Sequence, residues 1–185
     1  NLKLSRENLS IYNNPFSIKI SILLNSHFNI DKLVKLPSQI SVLEESETIS
    51  DGLQKNDDGF VGIKAGTQSI RKDNQYGPRS HTETYIVEVV DVKSDKYLID
   101  KNSDYLIVGG ESDEEILKNI VVENGTALIE DDKLLIKNGE NVVKEFRLIR
   151  LRSHKYDMSK SYIYVGQDSN DVIINNIEAN ADIVI

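Results

Sequence analysis

The chain has no cysteine, no tryptophan, three prolines and only 6% aromatic residues among its 185. Without cysteine there are no disulfides, no thiolate nucleophile and no cysteine-ligated zinc. The compartment stays open, because cytosolic and many secreted bacterial-type proteins share that lack. With few rings and no tryptophan, the core must be assembled from Ile, Val and Leu. The β-branched pair favours strands, where it packs well on a pleated surface. Long apolar runs are also missing. The longest, such as residues 22–24 and 172–174, are strand-sized, far short of the ~18 residues that span a bilayer. Positive charge is in deficit: the formal net charge is −8. That argues against a general nucleic-acid binder, which gains affinity by neutralising phosphates, and against docking on an anionic lipid face. The chemical motifs are absent too. No His-Glu-x-x-His pattern, no Gly-x-Ser-x-Gly elbow and no Gly-x-x-x-x-Gly-Lys phosphate loop occurs.

What the chain does have is a repeat. Residues 103–129 and 160–185 align with one gap at Glu115. Tyr105 falls on Tyr162, Val108 on Val165, Gly109 on Gly166 and Ser112 on Ser169. Asn119 then falls on Asn175, Asn124 on Asn180 and Ile129 on Ile185. Each copy reads as apolar run, Gly-containing turn, apolar run, polar turn, apolar run. That is a small antiparallel β unit used twice.

At this length the chain fits one large domain or two small ones. Strands are expected over 16–24, 40–43, 60–63, 85–92 and 97–99, and 29–36 reads as a short helix or a strand approach ended by Pro37. Residues 71–80 are the best loop or linker candidate. Asn138-Gly139 reads as a hairpin turn in which both positions tolerate positive φ. Residues 114–119 read as one helical turn, and their counterpart 171–176 as a strand. The fold class is therefore mostly β, an antiparallel sandwich or barrel with at most short helical turns. The expected organisation is a β-rich region over 1–82, a first β-sandwich-like unit over 83–150, and a truncated second unit over 151–185. A weak echo of the repeat over 33–43 hints at a third copy. The start at Asn1 rather than Met implies a processed product or a fragment, and the apolar run before Ile185 implies that the domain or its parent continues.

The residues Tyr162-Ile163-Tyr164-Val165-Gly166-Gln167-Asp168-Ser169-Asn170-Asp171-Val172-Ile173-Ile174 resemble the central hairpin of forkhead-associated (FHA) domains. In that family a strand ends in Gly-Arg, then come a polar loop, an Asp-Ile-Val-Leu-type strand and a Ser-x-x-His turn. Tyr105-Leu106-Ile107-Val108-Gly109-Gly110 follows the pattern more loosely. The family's phosphate-contacting arginine is Gly110 in one copy and Gln167 in the other. Its Ser-x-x-His turn is Glu178-Ala179-Asn180-Ala181 in the second copy and has no counterpart in the first. Asn124-Gly125-Thr126 resembles the family's Asn-Gly turn but stands too early. Without that cation the charge-assisted bonds that hold a phosphothreonine are lost. The resemblance thus implies an FHA-like sandwich that is degenerate and does not read phosphopeptides. It is similar to the tandem degenerate domains at the cytosolic N-terminus of the type VII secretion ATPase.

Chemistry-bearing residues are thin. His27, His81 and His154 lack metal-ligand spacing and read as surface or turn residues. Val108-Gly109-Gly110-Glu111-Ser112 looks like a nucleotide loop, but acidic Glu111 and Asp113 repel phosphate. The carboxylates Asp57-Asp58, Asp113 to Glu115, Glu130-Asp131-Asp132 and Asp168 to Asp171 read as solvated turns, with calcium as the alternative. Asn8-Leu9-Ser10 and Asn124-Gly125-Thr126 fit the N-glycosylation pattern by chance composition. No catalytic residue, metal ligand or cofactor is expected. The basic cluster around Arg147, Arg150, Arg152 and Lys155 is the candidate docking surface, either for an acidic partner or as the solvated side of a strand.

The function expected from this is a non-catalytic β-rich interaction or scaffolding module of a larger assembly. Its partners would be proteins, self-association among them, with no nucleic acid and no membrane span. A cytoplasmic place in a membrane-associated assembly is favoured over an extracellular or virion one. The alternatives are a structural subunit of a phage or virus particle or of a bacterial surface, and a carboxylate-based hydrolase.

Overall fold

A computed structural model describes residues 16–30, 44–76, 78–160 and 162–185. Among the described residues, thirteen strands and two six-residue helices make the fold mostly β. Two compact units divide the chain, Asn1–Asp91 and Val92–Ile185.

In the first unit, β1 (Phe16–Leu23) alternates as a half-buried strand should: Ile18 and Ile20 are buried, Ser17 and Lys19 exposed. It lies parallel to β7 (Arg79–Lys93), which pairs antiparallel with β6 (Gly66–Tyr76), which pairs with β3 (Glu44–Ile49). A second sheet is ordered β2 (His27–Phe28), β5 (Gly59–Gly62), β4 (Leu53–Asn56). Ile18, Ile20, Ile70, Val87 and Val89 of the first sheet share one buried cluster with Leu53 and Phe60 of the second. The Phe28 and Phe60 rings stack with centroids 5.6 Å apart. Two sheets closing on one apolar layer make a sandwich. Each fully buried aliphatic there contributes about 1.5–3 kcal/mol.

Residues 71–76 and 79–80, expected within a linker, instead lie in strands β6 and β7. Their polar side chains are paired across the β6–β7 ribbon. The Thr82 hydroxyl donates to Asp73 at 2.7 Å, and Asn74 faces His81, both buried. Lys72 reaches Glu45 and Glu47 on β3 at 3.3 and 3.7 Å. Cross-strand polar pairs stabilise a ribbon as apolar ones do, and a linear composition reading does not register them.

The second unit contains β8 (Tyr105–Val108), α1 (Asp113–Lys118), β9 (Val121–Glu123), β10 (Thr126–Glu130), β11 (Lys133–Asn138), β12 (Asn141–Arg152), α2 (Asn170–Asn175) and β13 (Glu178–Ala179). Its sheet runs β10-β11-β12-β13, with β8 parallel to β12. Alternate residues are buried: Leu106 and Val108, Leu134 and Ile136, Phe146 and Leu148. Register sets Leu134 beside Phe146, and Leu106 beside Leu148. Asp131 and Asp132 turn β10 into β11 with φ of 51° and 57°, a conformation that Asp tolerates better than most residues. They are turn residues.

The sheets are mostly antiparallel and do not close into a barrel. Two local expectations, at 97–99 and 171–176, are corrected. Residues 97–99 are not a strand. The hairpin expected at Asn138-Gly139 joins β11 to β12, with positive φ at Gly139 of 57°, and the Asn138 side chain donates to the Asn124 carbonyl at 2.9 Å. Residues 171–176 are helical rather than extended, because Ser169 caps the turn and outweighs the β-branched Val172-Ile173-Ile174. The expected strand at 40–43, most of the 29–36 element and the third copy at 33–43 lie outside the described residues.

Candidate functional site

The second unit uses one hydrogen-bonded framework twice. In the first copy, the Ser94 hydroxyl accepts the backbone N–H groups of Lys96 and Tyr97 at 3.2 and 3.0 Å. In the second, the Ser153 hydroxyl accepts those of Lys155 and Tyr156 at 3.1 and 3.0 Å. That turn sets each Lys–Tyr pair. Tyr97 donates to Glu111 at 3.0 Å, and Tyr156 to Asp168 at 2.7 Å. Lys96 and Lys155 reach the same carboxylates at 2.8 Å each, and lie 5.5 and 5.7 Å from the centroids of the neighbouring Tyr rings.

Each carboxylate is followed by a helix cap. Ser112 accepts from Glu115 N–H and Ser169 from Val172 N–H. At the far ends, Asn119 and Asn176 each return a side-chain amide to the carbonyl four residues back. The copies therefore correspond as Asn119 to Asn176, not Asn175, and need no gap at Glu115. The matched glycines differ: Gly166 has φ of 64°, whereas Gly109 is not left-handed. The likeness rests on the Ser, Lys, Tyr, carboxylate and cap positions.

The electrostatics of both copies follow from these contacts. Burial pushes the Tyr97 hydroxyl up, aided by its bond to Glu111 and that residue's charge. Tyr156 is raised to about 12, by burial and then by Asp168. Burial works to raise Glu111, but bonds from Lys96, its own backbone and Tyr97 outweigh it and hold the carboxyl low. Asp168 is held low by Lys155 first and Tyr156 second. Both phenols stay protonated and both lysines are neutralised by a carboxylate. Such groups lock a turn; none is poised to attack or to accept a proton.

The four predicted docking residues separate. Arg150 is used internally: it bonds the Glu111 carbonyl at 3.0 Å, Asp113 at 2.6 Å and Asp132 at 3.2 Å, tying β12 to the start of α1 and to the β10–β11 turn. Its guanidinium is raised because those two carboxylates outweigh a burial effect of opposite sign. Lys155 is engaged by Asp168. Arg147 and Arg152 are exposed, Arg147 within 3.4 Å of the Asn180 carbonyl and Arg152 folded over Gly110. Asn180 also pairs with β12 like a strand residue, accepting from Arg150 N–H at 2.8 Å and donating to the Leu148 carbonyl at 2.9 Å.

A cleft of about 450 Å³ opens in this unit between residues of both copies, Tyr97, Tyr105, Ile107 and Glu111 on one side and Tyr162 and Ile163 on the other. Tyr105, Ile107 and Tyr162 are half or more exposed. This apolar, aromatic-edged cleft escaped the linear reading. The signal for its framework was legible as Ser94-x-Lys96-Tyr97 against Ser153-x-Lys155-Tyr156. His81 is buried on β7, its Nε2 3.8 Å from Glu83, and is not a surface histidine; His27 and His154 are exposed. Among the described residues no three His, Asp or Glu side chains gather as a metal site. No family model, no curated protein and no solved structure matches the chain.

Proposed function

We propose that the chain is a non-catalytic, β-rich interaction or scaffolding module of a larger assembly. The observation that carries this reading is the duplicated Ser, Lys–Tyr and carboxylate framework, whose polar groups are spent on one another. What remains outward is an apolar cleft and the exposed Arg147 and Arg152, features of a binding face. The positions where the family holds a phosphate-binding arginine are Gly110 and Gln167. Calorimetric titration with phosphothreonine peptides is therefore expected to give no saturable heat. Micromolar binding would overturn the degenerate assignment.

The alternative, a structural subunit of a particle or surface layer, draws on the 11- and 15-residue strands of the β6–β7 ribbon. Sedimentation over a concentration series separates the two. A monomer throughout favours the interaction module; progressive self-assembly favours the subunit.

A further inference from the structure

The two copies in the second unit agree up to the strand that follows the Lys–Tyr turn, and there they part. In the first copy β8 lies parallel to residues 147–150 of β12. Leu106, Val108, Ile116 and Ile120 are all buried beneath it. The equivalent residues of the second copy, Ile163, Val165, Ile173 and Ile177, are only half-buried, and α2 buries none of its residues, whereas α1 buries Ile116. Among the described residues no strand pairs with 162–165, and Tyr164 is 84% exposed. The second copy has the turn, the helix and the return strand β13, but nothing in the place of β12.

We propose that residues 162–165 are a strand-accepting edge. Its occupant is an extended segment with the chemistry of β12, from outside these 185 residues, added in parallel. This rests on the interaction-module reading and names the kind of partner. The first copy specifies that chemistry. An apolar residue like Leu148 stands beside Ile163, as Leu148 stands beside Leu106. An arginine stands where Arg150 stands. In the first copy it takes the Glu111 carbonyl and the Asp113 carboxylate; in the second the matching acceptors are the Asp168 carbonyl and the Asn170 side-chain oxygen, with acidic Asp171 adjoining.

The test is a titration of the isotope-labelled chain, followed by NMR, with a synthetic peptide of residues 144–152, the chain's own β12 sequence. Saturable shifts are expected at 162–165 and α2, with slowed amide exchange there and β8 unchanged. The same peptide carrying Arg150→Glu is expected to bind roughly tenfold more weakly. In the chain, Val165→Pro removes the N–H that matches the ladder position of Val108 and is expected to abolish binding; Ile163→Asp is the second variant. Three results overturn the proposal: no saturable change at 162–165 with millimolar peptide, shifts equally large on β8, or dimerisation of the chain through 162–165 without peptide. The phosphopeptide and sedimentation experiments read the module's role without using this edge, so the two readings fail separately.

Discussion

At the scale of single residues, Tyr97 and Tyr156 carry the clearest consequence. Both phenols donate to a carboxylate that also meets a lysine. Both are expected to ionise late in a spectrophotometric titration. Tyr156 should ionise near 12 and Tyr97 later still, against an ordinary value of 10.0. Tyr97→Phe and Tyr156→Phe should each delete one late step; a substitution that leaves the late steps unchanged refutes the assignment for that residue. The carboxylates act at the opposite end of the scale. Glu111 and Asp168 are held below their ordinary values of 4.5 and 3.8. Depressed carboxylates contribute stability that is whole above the unfolded-state value and disappears as pH falls through the folded one. Urea midpoints should therefore be flat near neutrality and fall below about pH 4.5. Glu111→Gln should be less stable at neutral pH and show a shallower acid decline.

At the scale of elements, the two short helices have the same caps and different surroundings. A serine N-cap is worth about 1 kcal/mol, provided the helix it starts is itself held in place. α1 is held by Ile116, which is fully buried, and by the Arg150 bond to Asp113. α2 buries nothing. Ser112→Ala should thus lower global stability by about 1 kcal/mol, whereas Ser169→Ala should fray α2 locally and barely move the denaturation midpoint. Amide exchange should show the same order, slow in α1 and fast in α2. Equal midpoint losses in the two variants would contradict this account. The same contrast explains why residues 171–176 misled a linear reading. Val172, Ile173 and Ile174 have the composition of a strand, but Ser169 satisfies a free N–H of the first turn, and among the described residues no strand pairs with them.

At the scale of the whole molecule, charge is the property that acts. The net charge of −8 keeps copies apart at neutral pH. As pH approaches the sequence pI of 4.9 that repulsion vanishes. Light scattering should show a solubility minimum there, relieved again at lower pH while the fold survives; uniform solubility through that range would show that surface charge is not what separates the molecules. Amino-acid composition alone determined the β class, through scarce aromatics, abundant Ile and Val and turn residues at short intervals. The order of residues determined the repeat, because tyrosine, serine and asparagine recur at matched spacing. Neighbour choice was decided only in three dimensions. The polar residues 71–76 and 79–80 became a ribbon because Asp73, Asn74 and Lys72 met partners on other strands. Arg150 left the surface because three oxygens from distant segments converge on it. Periodicity and turn chemistry are local and survive in the linear order of residues. Pairing across strands depends on what the rest of the chain brings alongside, and only the folded molecule holds that.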